Sequence, residues 1–259
     1  MQQLEGSIGA EWRFAVHWTN ELPKTSSSAS HESIARRYHL TRKQKTQLVS
    51  DTLEELYGIP DRDLEGSVLD CLILTILSQN TNDINRDKGY VILKERFPTW
   101  EDVLEANVEE IGDAIRIAGL HGQKSRAIKN FLTQLNTEYG KLELAFLCDM
   151  ETDDALQFLC QHKGIGIKTA SVTLAFACGH EVFPVDTHIL RISKRLGLIP
   201  SNCSAEKAHE LMLQLCPTGK AYPFHMNLIT FGRQICNARK PKCDQCPLTE
   251  NCLYFKGRL

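Results

Sequence analysis

Apolar residues recur at helical spacing along most of the chain. From about Thr41 to Tyr57, residues Leu48, Leu53, Leu56 and Tyr57 fall near one face, and Gly58 and Pro60 end the run. Helix-length amphipathic segments come next at roughly 66–79, 83–97, 99–106, 108–118, 122–139, 152–162, 168–178, 185–197, 204–216 and 221–235. Short connections with Gly, Pro, Asn or Asp separate them. Alternation of period two is confined to Trp12, Phe14, Val16 and Trp18, which suggests one short strand, and Thr25–Ser30 reads as a flexible linker. Residues 1–40 are therefore an N-terminal extension, and the rest predicts an all-α fold without a repeat of fixed period.

Composition narrows the picture. The 259 residues are 42% hydrophobic, enough for a sizeable core in one large domain or two small ones. No run approaches the roughly 18 apolar residues that span a bilayer; Cys71–Leu77 is the longest and is too short. The N-terminus has no charged start, apolar core and small-residue cleavage site. These features lead us to expect a cytoplasmic protein, nucleoid-associated if prokaryotic, with reduced thiols and no membrane partner. The net charge of −2 taken alone speaks against nucleic acid. The average conceals a segment: Gly232–Leu259 holds six Lys or Arg against two acids.

That segment also holds four of the ten cysteines, Cys236, Cys243, Cys246 and Cys252, spaced C-x6-C-x2-C-x5-C. Four soft thiolates so close together can converge on one centre. Zinc ribbons use two paired knuckles, and here only one Cys-x-x-Cys pair exists, so an all-Cys 4Fe–4S cluster is the better reading, with zinc as the alternative. Arg239, Lys240 and Lys242 surround the loop and suit phosphate contact. The other six cysteines (71, 148, 160, 178, 203 and 216) lie among apolar residues and are expected as buried small hydrophobes.

A second concentration of signal is His162–Ala170. Gly164 and Gly166 permit a tight turn between two helices and expose backbone N–H groups, which bind phosphate without reading bases. Lys163 and Thr169 flank the turn. Lys168 falls in the first turn of the following helix, where the partial positive charge disfavours a second cation and lowers its pKa, making a usable nucleophile. On its own it reads more readily as a surface phosphate contact than as a nucleophile. Beyond it comes Pro184-Val185-Asp186-Thr187-His188. Asp186 can cap the next helix, and a short return also brings its carboxylate beside Lys168, where it can stabilise a cationic sugar. His188 is a candidate phosphate contact or a satisfied polar side chain.

The three motifs occur in one order, and with it the chain closely resembles the endonuclease III family of helix-hairpin-helix DNA glycosylases. The match runs over roughly residues 42–255 and includes Leu77-Ser78-Gln79-Asn80 with Asp83, Gly119-Leu120-His121, the hairpin, Val185–His188 and Phe231–Cys252. The resemblance implies two helical lobes. One is a helical barrel at about 62–182, with the hairpin at about 159–180; the other joins 41–61 to 183–259 and carries the 4Fe–4S cluster. Duplex DNA would lie across the groove between them with a damaged base flipped out. Lys168 matches the family's Schiff-base lysine and Asp186 its essential aspartate. Asn80, or its neighbour Gln79, stands where the family inserts a polar side chain into the vacated stack, and Leu120 or His121 where it places a second wedge.

The resemblance implies a monomeric bifunctional glycosylase and abasic-site lyase acting on damaged, oxidised pyrimidines. Two departures bear on specificity. His162-Lys163 replaces the family's Leu-Pro, adding a charge near the expected phosphate. Ser78–Asp83 replaces Ser-Ala-Gln-Ala-Thr-Asp, and its Ser-Gln-Asn looks like the plant 5-methylcytosine glycosylases, which leaves the preferred base open. Mismatch-specific thymine, uracil or adenine glycosylases usually lack a lysine at position 168. A non-catalytic DNA-binding iron–sulfur module has no use for both Lys168 and Asp186.

Overall fold

The computed structural model describes residues 40–61 and 66–257, and among these no strand occurs. The strand at 12–18 and the linker at 25–30 lie outside the described residues. Among the described residues there are eleven α-helices, in order α1 (Arg42–Tyr57), α2 (Val68–Leu77), α3 (Asp83–Arg96), α4 (Trp100–Glu105), α5 (Val108–Ala114), α6 (His121–Tyr139), α7 (Thr152–Cys160), α8 (Ile167–Thr173), α9 (Thr187–Leu196), α10 (Ala205–Leu215) and α11 (Ala221–Gln234).

Local signals set most helix starts. Thr41, Ser67, Thr99 and Asn107 each accept from the backbone N–H three residues on, while Gln44, Asp70, Asp102 and Glu110 reach back to the cap's own N–H. Helix α2 is different: all ten of its residues are buried. A helix buried on every side has to run through the middle of a core, and it packs against α3, α6 and α8. Its neighbour α8 is shorter than the periodicity suggests, passing at Leu174–Cys178 into a π-helical turn.

The buried apolar residues form two clusters. One runs from Val68 to Val182 and is centred on α2, with Leu72, Ile73, Ile76, Ile128 and Leu132 fully buried. The other takes Val49 and Leu53 from α1 and continues from Phe183 to Cys252. The chain thus crosses from one core to the other at Val182–Phe183, three residues before Asp186.

Two expectations about cysteine need correction. Cys148 and Cys178 are not separate buried thiols but form a disulfide, because the 3₁₀ turn Ala145–Cys148 packs against the π-helical turn and brings the two Cα atoms to 4.6 Å. Thirty residues of sequence separate them, so spacing alone carried no hint of the pair. Cys160, at the end of α7, is exposed rather than buried. Cys71, Cys203 and Cys216 are buried as expected.

Candidate active site and cluster loop

Lys168 and Asp186 are brought to the same place by the helix ends that carry them. Gly164 turns the chain with φ +97°, and an added Cβ there would stand 2.7 Å from the Ala127 Cβ, so the hairpin lies directly on α6. Gly166 then opens α8, which puts Lys168 second in the helix. Asp186 caps α9, its Oδ1 accepting the Ile189 N–H at 2.8 Å, so the carboxylate is held rather than free to swing. Both side chains are half-buried. Burial pushes the Lys168 pKa below the usual lysine value, and Arg86 adds to this; the carboxylates of Asp186 and Asp83 oppose it. The result is an amine of lowered pKa beside a fixed carboxylate.

The backbone leading into Asp186 is clamped by two buried histidines that sequence reasoning passed over. His225 on α11 places Nδ1 2.9 Å from the Pro184 carbonyl, and His209 on α10 accepts the Val185 N–H through Nδ1 at 3.2 Å. Burial drives the His225 pKa down to about 4 and lowers that of His209 as well, so both rings are neutral. They lie 23 and 39 residues beyond Asp186 in the chain with no motif around them. An ion pair between Arg233 on α11 and Asp83 at the start of α3 (2.9 Å) joins the two cores beside the site.

The remaining candidates separate. Gln79 turns inward, donating to the Gly164 carbonyl and to Thr169 Oγ1, both at 3.2 Å. The Thr169 side chain is thereby buried and occupied. Asn80 is exposed, with φ 51°; Leu120 is exposed, with φ 48°. These are the only non-glycine residues with positive φ among the described ones. His121 is half-buried and lies near Gly112 of α5. His188 is also half-buried, its ring against Gly232 and its Nδ1 3.2 Å from Arg191 Nη2. Lys163, Arg239, Lys240 and Lys242 are exposed.

The four C-terminal cysteines line one cavity together with Leu196, Phe231, Ile235, Pro241, Tyr254 and Phe255. Four cysteine sulfurs around one shared space are the donor set that an iron–sulfur centre takes. The N–H groups of Arg195 and Leu248 point at Cys236 and Cys246 Sγ, each at 3.4 Å. Burial, with the neighbouring sulfurs adding to it, pushes the Cys246 thiol up to about 11 and raises Cys243, so positive charge beside these two is what favours them as thiolates. The donors fit a 4Fe–4S cluster. Arg191 and Arg195 on α9 tie the loop down, donating to the carbonyls of Gly232, Cys236, Asn237 and Ala238.

Residues 73–218 match the family model for the HhH-GPD superfamily base excision DNA repair protein. The chain belongs to that superfamily. Residues 236–252 match the iron–sulfur binding domain of endonuclease III, and the loop holds a 4Fe–4S cluster. Among relatives, endonuclease III of Sulfolobus acidocaldarius is 33% identical over 78% of this chain and 93% of its own length. A protein of Arabidopsis thaliana provisionally named DNA glycosylase At3g47830 is 37% identical, over 78% of this chain and 69% of the relative. DNA glycosylase/AP lyase ROS1 of the same plant is 28% identical over 60% of this chain, which spans only 12% of that much longer protein. Among solved structures, a trapped endonuclease III–DNA covalent intermediate superimposes with a TM-score of 0.74 at 29% identity, covering 85% of this chain and 99% of that one.

Proposed function

We propose that this HhH-GPD protein is a monomeric bifunctional glycosylase that removes oxidised pyrimidines from duplex DNA and then cleaves the abasic site. The pairing of a half-buried, pKa-lowered Lys168 with the fixed carboxylate of Asp186 carries the reading. The duplex lies between the two cores, with Lys163, the N–H groups of Gly164, Gly166 and Thr169, and the basic residues Arg239, Lys240 and Lys242 on its phosphates. Asn80 and Leu120 enter the stack vacated by the flipped nucleotide. Neutral Lys168 Nζ attacks C1′ as the bond to the base breaks, while the Asp186 carboxylate stabilises the positive charge that develops on the sugar. Loss of a proton from Nζ and opening of the ring yield a Schiff base. Removal of a C2′ proton then expels the 3′ phosphate by β-elimination. The bound cluster supplies a rigid support for the basic loop.

Borohydride reduction on abasic duplex tests this. A covalent adduct is expected with the wild-type chain and none with Lys168→Ala, and no wild-type adduct refutes the lyase assignment. Oligonucleotides carrying thymine glycol, uracil, G·T or 5-methylcytosine decide the base. Ser78-Gln79-Asn80 and the relationship to ROS1 make 5-methylcytosine the informative competitor.

A further inference from the structure

Lys124 is an unexpected residue to find inside a core. It is only 2% exposed, and its ammonium pairs with no acidic side chain among the described residues. Its two hydrogen bonds go to backbone carbonyls, Leu77 O at 2.7 Å and Ala118 O at 2.8 Å. Leu77 ends α2, and Ala118 ends the 3₁₀ turn Arg116–Ala118. Helix C-terminal carbonyls are short of partners and carry partial negative charge, so one buried ammonium satisfies both ends at once.

The residues just beyond those two carbonyls give the contact its meaning. Asn80 stands three residues after Leu77, and Leu120 two after Ala118; these are the two exposed, positive-φ non-glycine tips. A left-handed backbone in an ordinary residue persists only where its surroundings impose it. Lys124 also acts on the second tip through its own backbone, its N–H donating to the Leu120 carbonyl at 3.0 Å. One side chain is thus bonded to the carbonyls that precede two tips 40 residues apart in sequence.

We infer that Lys124 is a positioning residue that holds the Asn80 and Leu120 tips at a fixed separation, so that both enter the duplex together. The inference rests on the DNA-glycosylase reading above, and it assigns Lys124 to opening the stack and not to the chemistry at Lys168. A neutral side chain of similar length leaves two buried carbonyls unsatisfied, and the tips lose their common anchor.

The test uses the full cluster-loaded chain and a duplex with 2-aminopurine opposite tetrahydrofuran, an uncleavable abasic analogue. At saturating wild-type protein the fluorescence rises as the tips unstack the probe. With Lys124→Met the amplitude at saturation is expected to fall by about threefold or more, whereas borohydride trapping on a true abasic duplex stays within about threefold of wild type. Lys124→Arg, which keeps charge and donors, is expected to restore the amplitude. Saturation removes any contribution from unfolded protein. An unchanged amplitude in Lys124→Met overturns the inference, and so does a parallel loss of amplitude and trapping, or a Met variant that does not fold, since either makes Lys124 a general fold determinant. A wild-type chain that gives the fluorescence rise but no trapped adduct refutes the lyase reading and leaves the role of Lys124 standing.

Discussion

Replacing Gly164 with alanine tests whether the hairpin geometry is dictated by its contact with α6. Two separate penalties apply. The backbone sits at φ +97°, which an L-residue adopts at a cost of about 1–3 kcal/mol. The new methyl would also stand 2.7 Å from the Ala127 Cβ, which has no rotamer to yield, and overpacking of that kind costs a further ~1–3 kcal/mol. Gly164→Ala alone is therefore expected to destabilise by about 2–6 kcal/mol. Ala127→Gly alone removes a helix-interior alanine and costs ~1 kcal/mol. In the double variant the clash disappears but the φ strain and the helix penalty remain, about 2–4 kcal/mol in all, so the two changes couple favourably by ~1–3 kcal/mol. Urea unfolding of the four cluster-loaded proteins measures the cycle, with the m-values checking that each variant unfolds from a comparable state. Additivity to within about 0.5 kcal/mol refutes the reasoning, because it means that the hairpin has moved off α6 instead of pressing on it. In that case Gln79, whose amide bonds the Gly164 carbonyl, also loses its anchor.

Two further predictions concern protonation. Asp186 opposes the depression of the Lys168 pKa, so Asp186→Asn is expected to lower it further and to move the rising limb of the abasic-lyase pH profile to lower pH, even as base excision weakens. Single-turnover cleavage of abasic duplex across pH reads the limb, and an upward shift contradicts the placement of the carboxylate. His225 has a folded-state pKa near 4 against about 6.5 unfolded, so its neutral burial contributes stability that is fully present above pH ~6.5 and lost as pH falls towards ~4, roughly 3 kcal/mol in all. His225→Gln should flatten this part of the stability–pH curve measured by urea midpoint, and an unaltered slope would place the acid sensitivity elsewhere.

The all-helical character and most helix ends were legible in the sequence because both depend on short-range physics. Apolar spacing reports which face is buried, and the caps at Thr41, Ser67, Thr99 and Asn107 with their partners three residues on are local hydrogen-bonding devices. The cluster loop was legible for a similar reason: its four cysteines lie within seventeen residues, so their spacing restricts what they can bind. The π-helical ending of α8 was not, since apolar periodicity does not distinguish it from a continued α-helix.

What tertiary structure alone decided involves partners far apart in the chain. The Cys148–Cys178 disulfide, the His209 and His225 clamps before Asp186, the Asp83–Arg233 ion pair and the Lys124 bridge each join elements that chain-local patterns treat as independent. Gln79 and Asn80 make the same point within one dipeptide. Their residue types suit them equally for a wedge, but only the packed hairpin offers the carbonyl and hydroxyl that hold Gln79 inward, while Asn80 is left exposed. Sequence determined which groups this protein has and which local structures hold them. Packing determined which of those groups face one another, because burial, pKa and hydrogen-bond partnership belong to the neighbourhood and not to the residue.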